Sequence, residues 1–148
     1  MTAIKINRQI ETIKVPDETG EIVYSWEVPT DDASIEVMGA KIASALDRFK
    51  SVSRQVENAQ SDDEMQQATE VCVRLQKRVI VTIIGEEGYN DVLTYIGDGV
   101  PCDPANNLTN IGEVMAALLT WFAAHCTSQE MRRATTQLSA MRITPVAR

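Results

Sequence analysis

The stretch 70–85, EVCVRLQKRVIVTIIG, constrains the fold more than any other part of the chain. Its first half is amphipathic, with a single apolar stripe. Its second half, Val79-Ile80-Val81-Thr82-Ile83-Ile84, is apolar on nearly every side. A helix wet on all but one stripe lies on a surface, whereas one apolar all round is buried. The element therefore begins at the surface and ends in the core, and its neighbours must enclose the far end. Met65, Ala68, Cys72, Leu75, Val79 and Ile83 recur at steps of three and four, which predicts a helix. A competing reading makes 78–84 a strand, because Val and Ile favour strands. The unbroken spacing from Met65 favours the helix, and Gly85 is placed to end it.

The elements before it follow the same logic. Pro29-Thr30-Asp31-Asp32 marks a helix start, with Thr30 or Asp32 accepting from free backbone N–H groups. Ile35, Met38, Ile42, Leu46, Phe49, Val52 and Val56 then share one face, opposite Lys41, Asp47, Lys50 and Arg54. The break around Ser61-Asp62-Asp63-Glu64 is short, so the two helices form an antiparallel pair. Residues 9–28 read as a β-hairpin. Ile13 and Val15 lead into the turn formers Pro16-Asp17-Glu18-Thr19-Gly20. Beyond them Ile22, Tyr24, Trp26 and Val28 alternate with more polar neighbours, the period of a strand with one dry face. Ile4, Ile6 and Ile10 hint at a preceding extended arm, although Arg8 interrupts that register. An isolated hairpin is barely stable in water, so its dry face must lie on helices or on a hairpin from another copy.

After Gly85, Tyr89, Val92, Leu93 and Ile96 form the inner side of a short helix over 89–96. Residues 97–107, GDGVPCDPANN, form a loop. A last apolar helix begins near Thr109 or Asn110. It carries Ile111, Val114, Met115, Leu118, Leu119 and Phe122 on one stripe, with Trp121 beside it. Residues 127–142 are polar and either extend this helix or fray, and 143–148 read as a mobile tail. The expected fold is α+β and mainly α-helical, an N-terminal β-hairpin followed by a bundle of about four helices. Residues 1–126 make one globular domain, with the hairpin at 9–28 and helices over 31–126. Residues 127–148 make a polar helix extension and flexible tail.

Composition narrows the function classes. A formal charge of −7 and a pI near 4.7 give a phosphate backbone nothing to bind, which argues against nucleic acid. The three cysteines, Cys72, Cys102 and Cys126, include no CxxC pair, which fits reduced thiols in a cytoplasm. No secretory segment is visible, and no apolar run reaches bilayer length. No catalytic, cofactor or metal site stands out. His125 is the only histidine; its neighbour Cys126 would point elsewhere on a helix. Gly97-Asp98-Gly99 with Asp103 starts like a calcium loop, but Val100 and Cys102 occupy ligand positions. Gly85-Glu86-Glu87-Gly88 carries acids where a phosphate loop would need a base. An enzyme is not expected; a small enzyme built around His125 is the remaining catalytic reading.

The order of pieces resembles the small tail assembly chaperones of long-tailed bacteriophages and prophages. The resemblance runs over about residues 9–125. It rests on the strand at 21–28, the helix start at Thr30-Asp31, and the Ile83-Ile84-Gly85-Glu86-Glu87-Gly88 turn. The short helix 89–96 and the apolar helix 110–122 complete it. It implies a protein that binds the tape measure protein, keeps it soluble and recruits tail tube subunits. Such a protein is a homo-oligomer of the host cytoplasm, absent from the mature virion, with no catalytic residues and no cofactor. The alternative is a structural virion component, a head–tail completion or tail terminator protein. Met115, Leu118, Trp121 and Phe122 read most simply as core; a second reading makes them the client-binding groove. Tyr24 and Trp26 are the candidate self-association surface.

Overall fold

A computed structural model describes residues 9–58 and 60–143. Two antiparallel strands, β1 (Ile10–Pro16) and β2 (Ile22–Pro29), form the hairpin. Four helices follow: α1 (Asp32–Glu57), α2 (Asp62–Ile96), α3 (Leu108–Ala123) and α4 (Gln129–Met141). A short 3-10 turn, Pro104–Asn106, precedes α3. The fold is α+β and mainly helical. α1 packs on α2 and α4, and α3 packs on α2 and α4, so the helices close a ring around one core. The hairpin sits on α2. Ile4 and Ile6 lie outside the described residues.

Local signals explain most boundaries. Asp31 caps α1: its carboxylate accepts from the Ser34 N–H at 3.2 Å and the Ser34 hydroxyl at 2.7 Å. The cap is thus the residue between Thr30 and Asp32. Ser61 caps α2 by accepting from the Glu64 N–H, and the Glu64 carboxylate reaches back to the Gln60 N–H. The expected stripe of α1 from Ile35 to Val52 is buried throughout. The side chain of Val56 lies outside the described residues.

Residues 78–84 are helical, as the spacing predicted. Val79, Ile80, Ile83 and Ile84 are buried, while Val81 and Thr82 are only half-covered on the side toward α1. Gly85 interrupts α2 with φ 82° and ψ 174°, so the element is two helical segments joined by a kink. Only glycine enters that region without steric cost. The kink turns the second segment, with Tyr89, Val92 and Leu93 buried, under the hairpin and against the core.

The C-terminal part departs from the expectation. Residues 127–142 are neither a continuation of α3 nor a fraying end, and they belong to the core. The chain turns after Ala123, and Ser128 caps a separate α4 by accepting from the Met131 N–H at 3.0 Å. α4 lays Thr135 and Leu138 into the core, with Met131, Ala134 and Met141 half-buried beside them. Ile143, expected in a tail, is 0% exposed. This stripe is narrow and set among polar residues, so packing against α1 and α3 rather than composition stabilises it.

One buried polar side chain holds this arrangement. Gln76, on α2, donates from Nε2 to three carbonyls: Leu108 at 2.9 Å, Arg142 at 3.1 Å and Ile143 at 3.2 Å. It thereby ties the start of α3 and the end of α4 to the middle of α2. Arg142 and Ile143 have φ of 57° and 48°, a left-handed pair that costs on the order of 1–2 kcal/mol per residue. Burial of Ile143 and the Gln76 bonds offset that cost. Gly112 makes room, because a Cβ there would stand 2.7 Å from the Arg142 carbonyl oxygen.

Gln76→Leu should lower unfolding free energy by about 2–4 kcal/mol, since it leaves buried carbonyls unpaired; urea titration followed by circular dichroism measures it. A change under about 0.5 kcal/mol would show that the carbonyls find other partners. Gly85→Ala should cost about 1–3 kcal/mol through the positive φ alone. An unchanged urea midpoint would show that the kink relaxes freely.

Candidate functional site: an apolar cleft beneath the hairpin

The register Ile13↔Trp26 and Val15↔Tyr24 puts these four side chains on the inner face of the hairpin. They roof a cleft of about 210 Å³. Its far walls are Val92 and Tyr95 of α2 and Val114, Ala117, Leu118 and Trp121 of α3. Every residue on this list is apolar or aromatic. The kink at Gly85 is what aims the second segment of α2 into this position.

The cleft is framed by directional contacts. The Trp26 indole N–H donates to Asp91 Oδ2 at 2.9 Å, which pins β2 to α2. Tyr24 stacks on Trp26 with centroids 6.4 Å apart and meets Tyr95 edge-on at 6.2 Å. On the opposite side His125 bridges β1 and α3. Its Nδ1 donates to the Trp121 carbonyl at 2.9 Å, and its Nε2 lies 2.7 Å from the Glu11 carboxylate. The imidazole also lies 4.3 Å from the Trp121 ring centroid. His125 therefore positions a cleft wall.

The mouth is acidic. Next to the cleft lies a second depression of about 580 Å³ that shares Tyr24 and Tyr95 and is lined by Asp17, Glu18 and Asp98. Hydrogen bonds from the Thr19 hydroxyl, and from the backbone N–H groups of the turn, hold the Asp17 carboxyl below its ordinary value. Tyr95 is 50% exposed at the junction of the two.

The residues singled out from the sequence divide between core and cleft. Met115 and Phe122 are wholly buried in the core and line no surface. Leu118 forms part of the cleft wall, and Trp121 stands half-exposed beside it. Trp26 is 8% exposed beneath the hairpin and Tyr24 is half-buried, and both side chains face the cleft. The pairs Tyr24/Trp26 and Leu118/Trp121, read as two separate surfaces, converge on one site. Sequence reasoning missed Tyr95 and Ala117. The only signal for Tyr95 was its position three residues after Val92.

The other polar candidates resolve locally. Cys126 points into the core, where its thiol contacts the Phe122 carbonyl and the Thr135 hydroxyl, away from the partners of His125. The Asp103 carboxylate caps the 3-10 turn by accepting from the Ala105 N–H. Among the described residues no group of three or more His, Cys, Asp or Glu could hold a metal ion. No described helix is long and apolar enough to cross a membrane. Scans against protein-family models, curated proteins and solved structures found no match to the chain.

Burial pushes the Cys72 thiol up from 9.0 to about 11. The folded state therefore binds this proton more tightly than the unfolded chain does. The associated stability is fully present below about pH 9 and is lost as pH rises through about 11, on the order of 2–3 kcal/mol in all. Cys72→Ala should flatten the alkaline limb of the stability profile. An unchanged limb would mean that other groups cause it.

Proposed function

We propose that this chain is a binding protein that carries an apolar segment of a partner in the cleft beneath its hairpin. The reading follows the resemblance to tail assembly chaperones: the client is the tape measure protein, held soluble in the host cytoplasm while tail tube subunits are recruited. The observation that carries it is the meeting of Tyr24, Trp26, Leu118 and Trp121 around one apolar cleft. A cleft of about 210 Å³ suits one or two bulky side chains of a client helix rather than a whole small molecule, whose pockets run from roughly 300 Å³ upward. The acidic rim at Asp17, Glu18 and Asp98 favours clients with Lys or Arg beside the apolar anchor. On this reading the protein acts as a homo-oligomer, performs no catalysis, and is absent from the mature virion.

The alternative, a structural virion component, differs in its fate. Mass spectrometry of purified particles would detect the virion component and not the chaperone.

The cleft itself is tested by co-expression with the tape measure protein. Trp121→Ala removes a wall, and Ala117→Trp fills the mouth from an exposed position. Both should reduce recovered client by about tenfold or more while helical circular dichroism stays intact. Full client recovery with both variants would rule the cleft out as the binding site.

A further inference from the structure

On the face of the α1–α2 pair, three arginines from two helices converge. Arg48 of α1 and Arg74 and Arg78 of α2 line one groove of about 580 Å³ together with Ser44, Val71 and Leu75. A second depression continues it past Lys41 and Val81 to Thr82, sharing Ser44 and Arg78. From Val71 to Thr82 the seam runs about 16 Å along α2, three helical turns. This concentration of cations is unexpected in a chain of formal charge −7.

The described ion pairs do not account for it. They join Lys77 to Glu86 and His125 to Glu11, and neither involves the groove. Arg48, Arg74, Arg78 and Lys41 are all exposed, and among the described residues none has a carboxylate within ion-pair distance. Like charges on facing helices repel, so this arrangement costs stability that a complementary anion would return. The floor between them is different in character. Leu75 is buried, and Val71 and Val81 are half-buried, so an aliphatic strip runs between basic walls.

We propose that this groove docks an acidic amphipathic helix of a partner protein. The strip takes the partner's small or aliphatic side chains, and carboxylates on its two flanks pair with Arg48, Arg74, Arg78 and Lys41. Arg74 and Arg78 stand one turn apart, so Glu residues four apart on the partner match them. Guanidinium groups take carboxylates through two parallel N–H bonds, which fixes register as well as charge. A compact inorganic anion would meet only the arginine end and leave the aliphatic strip uncovered. The groove lies on α1 and the first segment of α2, a surface separate from the hairpin cleft, and the inference does not rest on the function proposed for that cleft.

The experiment uses the full chain and a fluorescein-labelled helical peptide of about 12 residues, with Glu every fourth position beside a Leu/Ala stripe. A peptide of the same composition in scrambled order is the control. Anisotropy should show binding of the patterned peptide only. The affinity should fall by about tenfold or more with Arg74→Glu/Arg78→Glu, and it should weaken as salt rises from about 50 to about 200 mM. Thermal unfolding of the double variant should stay near that of the parent, since both side chains are exposed. A peptide with Lys in place of Glu should bind the Arg48→Glu/Arg74→Glu/Arg78→Glu variant and not the parent. Equal binding of the scrambled peptide would overturn the proposal. So would competition of equal strength from tripolyphosphate or a single-stranded oligonucleotide, or the absence of any binding.

Discussion

The structure depends on a polar side chain in the place where an apolar one would be expected. Gln76 sits in the middle of α2, fully buried, and its amide collects the carbonyls that begin α3 and follow α4. Each of those bonds is modest by itself, on the order of 1 kcal/mol net. Their position matters more than their sum. Without them the left-handed turn at Arg142 and Ile143 has no partner for its carbonyls, and Ile143 has less reason to return to the core. Oε1 of the same amide is buried with no partner among the described residues, a cost accepted in return for aiming Nε2 at three acceptors.

The same helix organises the cleft through a second device. Gly85 bends α2 so that one sequence segment serves two roles, a straight half paired with α1 and a second half beneath the hairpin. The hairpin then lies on helices rather than on another hairpin. Trp26 to Asp91 and His125 to Glu11 hold it at opposite ends of the cleft, so its apolar lining is retained without being filled. Charge is segregated around this frame. Acidic groups gather at the hairpin turn and the end of α2, while arginines gather on the face shared by α1 and the start of α2. A net charge describes neither surface.

Much of the architecture was legible because it is local. The stripe from Ile35 to Val52, the turn Pro16-Asp17-Glu18-Thr19-Gly20, the Ser61 cap and the break at Gly85 each carry their instruction within a few residues. α4 was not legible as a core helix. Its stripe of Met131, Ala134, Leu138 and Met141 is diluted by Arg132, Arg133 and Gln137, and it forms where α1 and α3 supply the other side. Of the candidate site, the residue types were legible and the grouping was not. Trp121 and Trp26 stood out as large apolar residues near element ends. That they face one another across a cleft depends on contacts between residues 95 positions apart in the chain.

The amino-acid sequence by itself determined the hairpin and the helices through α3, their order and which face of each is dry, because periodicity and capping act over one or two turns; α4 was left to the tertiary structure. Only the tertiary structure decided which dry faces remain uncovered. Met115 and Phe122 went to the core and Leu118 and Trp121 to the cleft, although all four share one helix and similar chemistry. It also decided that Gln76 is a hub and that Arg48 stands beside Arg74 and Arg78. The physical reason is the same in each case. Burial and charge proximity belong to pairs of elements, and a single strand of sequence states only what each element brings.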